Sequence, residues 1–101
     1  MNLDVTFSRH SKHRCFRDED EILKEEVREI IEEAVPMILK ARSNGKFKMN
    51  SCDVNVFKRS KGLNIVGRFE TDGTLHSFVV LTIMKSKQFM DNPGTIRFTL
   101  I

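Results

Sequence analysis

The sequence predicts an α+β fold, with N-terminal helices packed on a four-stranded antiparallel meander sheet. Three observations carry that expectation: a helical period in the first half, β-rich runs in the second, and an Asp-Gly pair between two of those runs. With 101 residues the chain reads as a single domain, 1–101, with a helical layer over 1–45 and the sheet over 53–101. That length buries roughly two-thirds of the extended surface, enough for one core without cross-links.

The helix is written in "DEDEILKEEVREIIEEAVPMILKAR". Leu23, Val27, Ile30, Ile31, Ala34, Ile38 and Ala41 recur at i, i+3, i+4 and i+7, which lines them along one face. Asp18 or Asp20 can cap the start, and Glu19 and Glu21 suit the positive end of the dipole. Glu25–Glu29 and Glu29–Glu33 are like-charge pairs one turn apart, so the outer face repels itself. Pro36 lacks an N–H and crowds the preceding turn, so a kink or a second helix is expected there. "SNGK" at Ser43 to Lys46 then ends the helical pattern.

Four runs follow: "DVNVFKR", "LNIVGRFE", "LHSFVVLTIMK" and "TIRFTLI". Asp72-Gly73 between the second and third predicts a two-residue hairpin turn. The implied register sets Phe69 against His76, Gly67 against Phe78, Ile65 against Val80 and Leu63 against Thr82. One face then carries Leu63, Ile65, Phe69, Phe78 and Val80, with His76 and Thr82. The other carries Asn64, Val66, Arg68, Glu70, Ser77, Val79 and Leu81, with Lys85 at the strand end. Glycine at 67 fits close packing of Phe78 across the pair.

Charge is unevenly spread. Residues 1–17 carry a net +3, residues 18–35 a net −7 and residues 36–70 a net +6, within an overall +3. If the two basic blocks meet, they form a surface that concentrates polyanions. No run reaches the ~20 apolar residues of a membrane span, and the start lacks an apolar leader segment, so a cytoplasmic protein is expected. Cys15 and Cys52 do not make a disulfide framework and are expected as free thiols.

The stretch "FSRHSKHRCFR", Phe7 to Arg17, holds two histidines, three arginines, a lysine and a cysteine without an acid. If helical, it places His10, His13, Arg14 and Arg17 on one stripe. Four readings are open. A metal site would use His10, His13 and Cys15 with Cys52 or His76, but the paired spacings of zinc sites are absent. Nucleic-acid binding would use the arginines and lysines on phosphates, although there is no Trp or Tyr to stack on bases. Metal-free RNA cleavage would use His10 and His13 as base and acid. Arg14, Arg17, Arg68 and Lys85 would hold the phosphate, and Lys58 and Arg59 would extend the grip. The plain alternative is a solvated basic surface. Outside the strip, His76 reads as a hydrogen-bonded histidine on the apolar face, and Ser77, Arg68 and Lys85 share the other.

The pattern Ser8, His10, Arg14, Arg17, followed by an amphipathic helix and strands ending in an apolar run with Thr82, resembles the RelE/BrnT-like superfamily of small toxin-like domains. The resemblance implies a helical layer on a curved antiparallel sheet, a ribonuclease or RNA-binding activity, and an antitoxin partner. It matches His10, Arg14, Arg17 and Thr82 to the motif positions. The expectation is therefore a toxin-like RNA-binding domain, with metal-independent ribonuclease activity as its enzymatic form and no cofactor. The competing expectation, drawn from the acidic block beside the basic ones, is a non-enzymatic phage or mobile-element accessory protein that binds or inhibits a host protein through charged surfaces.

Overall fold

A computed structural model describes residues 3–8, 24–45, 50–85, 91 and 93–101. Strand β1 is Leu3–Phe7, helix α1 is Lys24–Ser43, and the remaining strands are β2 (Ser51–Lys58), β3 (Leu63–Thr71), β4 (His76–Lys85) and β5 (Ile96–Leu100). A single 3-10 turn, Arg59–Lys61, joins β2 to β3. The expected four strands all form, but the expected arrangement is overturned. The described residues make one helix and a five-stranded mixed sheet in the order β1-β4-β3-β2-β5. β1 runs parallel to β4 and β5 parallel to β2, while β3 is antiparallel to both of its neighbours.

Two local facts explain the departure from a meander. "LDVTF" alternates apolar and polar residues, the period of a half-buried strand, and it takes the outer edge of β4. That edge is where a meander would have placed the last strand. β5 instead lies at the far edge, where Ile96, Phe98 and Leu100 continue the apolar row of Val54 and Val56.

The helix covers one face of the sheet. Val27, Ile30, Ile31, Ala34, Val35, Ile38 and Ala41 are buried along α1, as the periodicity requires. Facing them are Val54 and Val56 of β2, Leu63, Ile65 and Phe69 of β3, and Phe78, Val80 and Ile83 of β4, with Phe98 and Leu100 of β5. Phe69 and Phe78 sit opposite each other with no exposure, so replacing either with alanine costs about 3–5 kcal/mol. Pro36 lies inside α1 on its exposed side, and the helix runs on to Ser43 rather than ending or restarting. Among the described residues no helix is long and apolar enough to cross a membrane.

The register of β3 on β4 differs from the two-residue turn expectation. Thr71 pairs with His76, so the loop holds four residues, Asp72 to Leu75. Asp72 organises it: its carboxylate accepts the N–H groups of Thr74 (2.8 Å) and Leu75 (2.7 Å), and Gly73 takes the left-handed φ of 99° that a side chain would resist. Phe69 then pairs with Phe78 and Gly67 with Val80, but Val66 pairs with Thr82. Leu81 is therefore an extra residue, a bulge that inverts the facing of everything beyond it. Thr82, expected on the apolar face, falls on the other one beside Val66. Lys85, expected opposite the helix, falls beside Leu63 on the helix side.

Gly67 sits at the turning point. A β-carbon there would collide with the carbonyl oxygen of Val79 and the ring of Phe78. Gly67→Ala is accordingly expected to lower unfolding free energy by about 1–3 kcal/mol in a urea titration. Wild-type stability in that variant would show that β3 and β4 are not this close.

A candidate ligand-binding cleft

The face of the sheet away from α1 is polar at the end where β3 turns into β4. Four adjacent strands present one side chain each in register: Asp4 of β1, Ser77 of β4, Glu70 of β3 and Ser51 of β2. Neighbouring strands lie about 4.8 Å apart, so Asp4 and Glu70 flank Ser77 with backbones about 10 Å from each other. The next row toward the sheet end, Leu3, His76 and Thr71, points to the helix side, and the Thr71 N–H bonds the Asn50 carbonyl at 2.9 Å. These rows, with Asp72 and Leu75 of the turn, line a cleft of about 910 Å³.

His76 is held firmly at the sheet end, on the helix side. Thr71 Oγ1 accepts the Gly73 N–H at 3.0 Å and lies 2.7 Å from Nδ1 of His76. The Phe69 ring stacks against the imidazole, with centroids 6.0 Å apart and planes 22° apart. Thr71 is buried and its oxygen serves the turn, so the pair positions His76 rather than presenting a nucleophile.

The electrostatics of the lining are one-sided. Its charged residues are Asp4, Glu70 and Asp72, and none of the described lining residues is a lysine or arginine. The Leu75 and Thr74 amides hold the Asp72 carboxyl below the usual range, against a smaller effect of burial. Among the described residues Asp4 and Glu70 enter no ion pair. Leu75, at 60% exposure, adds an apolar wall at the mouth. Such a cleft accepts hydrogen bonds and favours positive charge.

A second polar cluster on this face is structural. Asn55 and Asn64 are fully buried, and Asn55 Nδ2 donates to Asn64 Oδ1 at 3.2 Å and to Asp91 Oδ1 at 2.5 Å. Asn64 Nδ2 donates to the Met84 carbonyl at 3.3 Å, and Asp91 also pairs with Arg97 Nε at 3.0 Å. The Arg97 guanidinium lies 5.4 Å from the centre of the Phe57 ring. The cluster thereby links β2, β3, β4 and β5.

Among the described residues, those expected to hold a phosphate do not form one grip. His10, His13, Arg14 and Arg17 lie outside the described residues. Lys58 and Lys85 both neighbour Leu63 in register, so they share the sheet end far from the cleft, with Arg59 in the turn beyond. Arg68 lies on the opposite face, about 17 Å along β3 from Leu63, and pairs with Asp53 at 3.4 Å. Lys58 is bonded to Glu33 of α1 at 3.0 Å, and Lys61 to Glu26. His76 is half-buried on the helix-side row, and Ser77 and Arg68 share the other face. Cys52 is a free thiol, pushed up in pKa first by burial and then by Asp53.

Sequence reasoning sorted Glu70 and Ser77 to one face but missed Asp4 and Ser51. The alternation in "LDVTF" marks Asp4 as outward-facing, but no local pattern says that β1 lies beside β4. No protein-family model, curated protein or solved structure matches the chain.

The depressed Asp72 value has a pH consequence. Its turn hydrogen bonds contribute stability above the unfolded pKa, and that contribution is lost only as pH falls through the lowered folded value. In a carbon-13 NMR titration the Asp72 carboxyl should titrate below about 3.9, the value of a free aspartate. A midpoint at or above that value would contradict the turn described.

Proposed function

We propose that this chain is a binding domain that takes a small organic ligand in the cleft at the end of its sheet. The in-register row Asp4, Ser77, Glu70 and Ser51 on the face away from α1, continued round the sheet end by the turn residues Asp72 and Leu75, carries the reading. Ligand sites combine apolar walls with a few convergent polar groups in clefts of about 300–1,000 Å³. The cleft has that size and that mixture. Strand pairing fixes the backbones that carry its polar side chains, so no backbone ordering is lost when a ligand binds.

The experiment is an NMR screen of the nitrogen-15-labelled chain against neutral, cationic and anionic fragments. Shift changes should centre on the amides of Ser51, Glu70, Thr71, His76 and Ser77. Ser77→Phe, which fills the cleft, should remove them while the amides of β3 and β4 stay protected from exchange. Perturbations confined to other surfaces, or none at all, would overturn the reading.

A second reading, RNA binding with metal-independent cleavage, is favoured by the clustering of His10, His13, Arg14 and Arg17 in sequence. Lys58 and Lys61 are engaged by the acidic helix, which leaves this reading less support from the second basic block. Incubation of pure protein with RNA and EDTA should then give cyclic-phosphate ends, and His10→Ala should abolish them. Intact RNA under those conditions would exclude the nuclease.

A further inference from the structure

We infer that the outer edge of β1 pairs with β1 of a second copy of this chain, antiparallel and centred on Val5, so that two sheets become one. The edge is open in a specific way. The Ser8 N–H bonds the Val80 carbonyl at 2.9 Å, so in the parallel register Asp4, Thr6 and Ser8 turn their peptide groups toward β4. Leu3, Val5 and Phe7 turn theirs outward, and among the described residues no strand lies beyond them. Sheet edges are commonly blunted by Pro, Lys or a bulge, and β1 has none of these.

The register is self-complementary, which a two-fold contact between identical surfaces requires. Antiparallel pairing centred on Val5 sets Val5 against its own copy and Leu3 against Phe7. All of these residues have outward peptide groups, so the pairing forms about six main-chain hydrogen bonds. On the helix side the pairs are apolar throughout. On the other face Asp4 of one copy meets Thr6 of the other, so a carboxylate accepts a hydroxyl and no like charges oppose each other.

A groove of about 350 Å³ adjoins the same strand, lined by Val5 and Phe7 of β1 and by Lys24, Glu25 and Arg28 of α1. The Lys24 ammonium lies 5.8 Å from the centre of the Phe7 ring, which places the start of α1 beside the strand. Val5 and Phe7 are half-buried, so a second strand covers apolar surface that the fold leaves open. Lys24, Glu25 and Arg28 bring both signs to the groove, so two copies meet there without a field of one sign. The other edge offers less. Phe98 and Leu100 of β5 are already buried, at 7% and 5% exposure, so pairing there would cover little more.

The test is sedimentation equilibrium of the full chain from about 10 µM to about 1 mM, the range suited to an interface this small, with NMR spectra at each concentration. The mass should rise from 11.7 kDa toward twice that value, and the Val5 and Phe7 amides should shift and gain protection from exchange. Thr6→Asp sets a carboxylate against Asp4 of the other copy at both ends of the pairing, and should raise the dissociation constant about tenfold. Adding Asp4→Lys to that variant restores opposite charges and should return the constant to about the wild-type value. Both side chains are exposed, so a purely structural role would not give loss followed by recovery. A chain that stays at 11.7 kDa throughout would overturn the proposal. So would a dimer indifferent to Thr6→Asp, or one whose shifts centre on Ile96–Leu100, which would place the contact on β5. Protection of Val5 and Phe7 by an unrelated extended peptide, with the chain monomeric alone, would overturn the second copy in favour of a partner strand.

Discussion

Strand β3 is the constraint on which the rest depends. It lies at the centre of the sheet, runs against both of its neighbours, and is paired with β2 from Leu63 to Glu70 and with β4 from Leu63 to Thr71. Its pairing with β4 sets which residues meet the helix and which meet the cleft. Because side chains alternate along a strand, one inserted residue reverses every assignment beyond it. The insertion here is Leu81, opposite the Val66–Gly67 step, where the missing side chain of Gly67 makes room for Phe78. On the turn side of that step Glu70 and Ser77 reach the cleft. On the far side Thr82 moves away from the helix and Lys85 moves toward it.

Charge follows the same geometry. The acidic first half of α1 looks self-repelling as an isolated helix, but the fold brings Lys58 and Lys61 to it, and Arg28 adds a bridge to Glu32. Each exposed pair contributes a modest amount, of order 0–1 kcal/mol. Their larger effect is on what the surface can attract, because basic residues that looked available to a polyanion face carboxylates of the same chain. Asp4 and Glu70 have no such counterpart among the described residues.

The two faces of the sheet are stabilised differently. Under α1 the contacts are apolar and close-packed. On the other face the buried Asn55 and Asn64, the half-buried Asp91 and the exposed Arg97 form a hydrogen-bonded chain that ties four strands together. A buried amide without partners is costly, so this arrangement favours one register over alternatives that would leave Asn55 or Asn64 unpaired. Asp91 comes from the segment between β4 and β5, and that contact accompanies the return of the chain to the far edge. No local pattern around "NPGT" conveys it.

Helix α1, the four strands after it and the glycine-dependent closeness of β3 and β4 were legible in the sequence, because periodicity and turn chemistry are properties of neighbours along the chain. The alternation in Leu3–Phe7 was legible too, but it was overshadowed by the basic strip that follows. Strand order was not legible, since β1 and β5 each pair with a strand far away in sequence. Nor was the bulge at Leu81, because a run such as "FVVLTIM" is apolar on both parities and does not reveal where its alternation slips. By itself, then, the sequence determined α1, the strands β2 to β5 and most of their core residues, but placed Leu3–Phe7 in a helical layer where the structure has strand β1. The tertiary structure alone decided which edges are occupied, which cations are engaged by α1, and that Asp4, Ser77, Glu70 and Ser51 stand side by side. Those outcomes depend on pairings between distant segments, which are selected by shared burial and shared hydrogen bonds rather than by local preference.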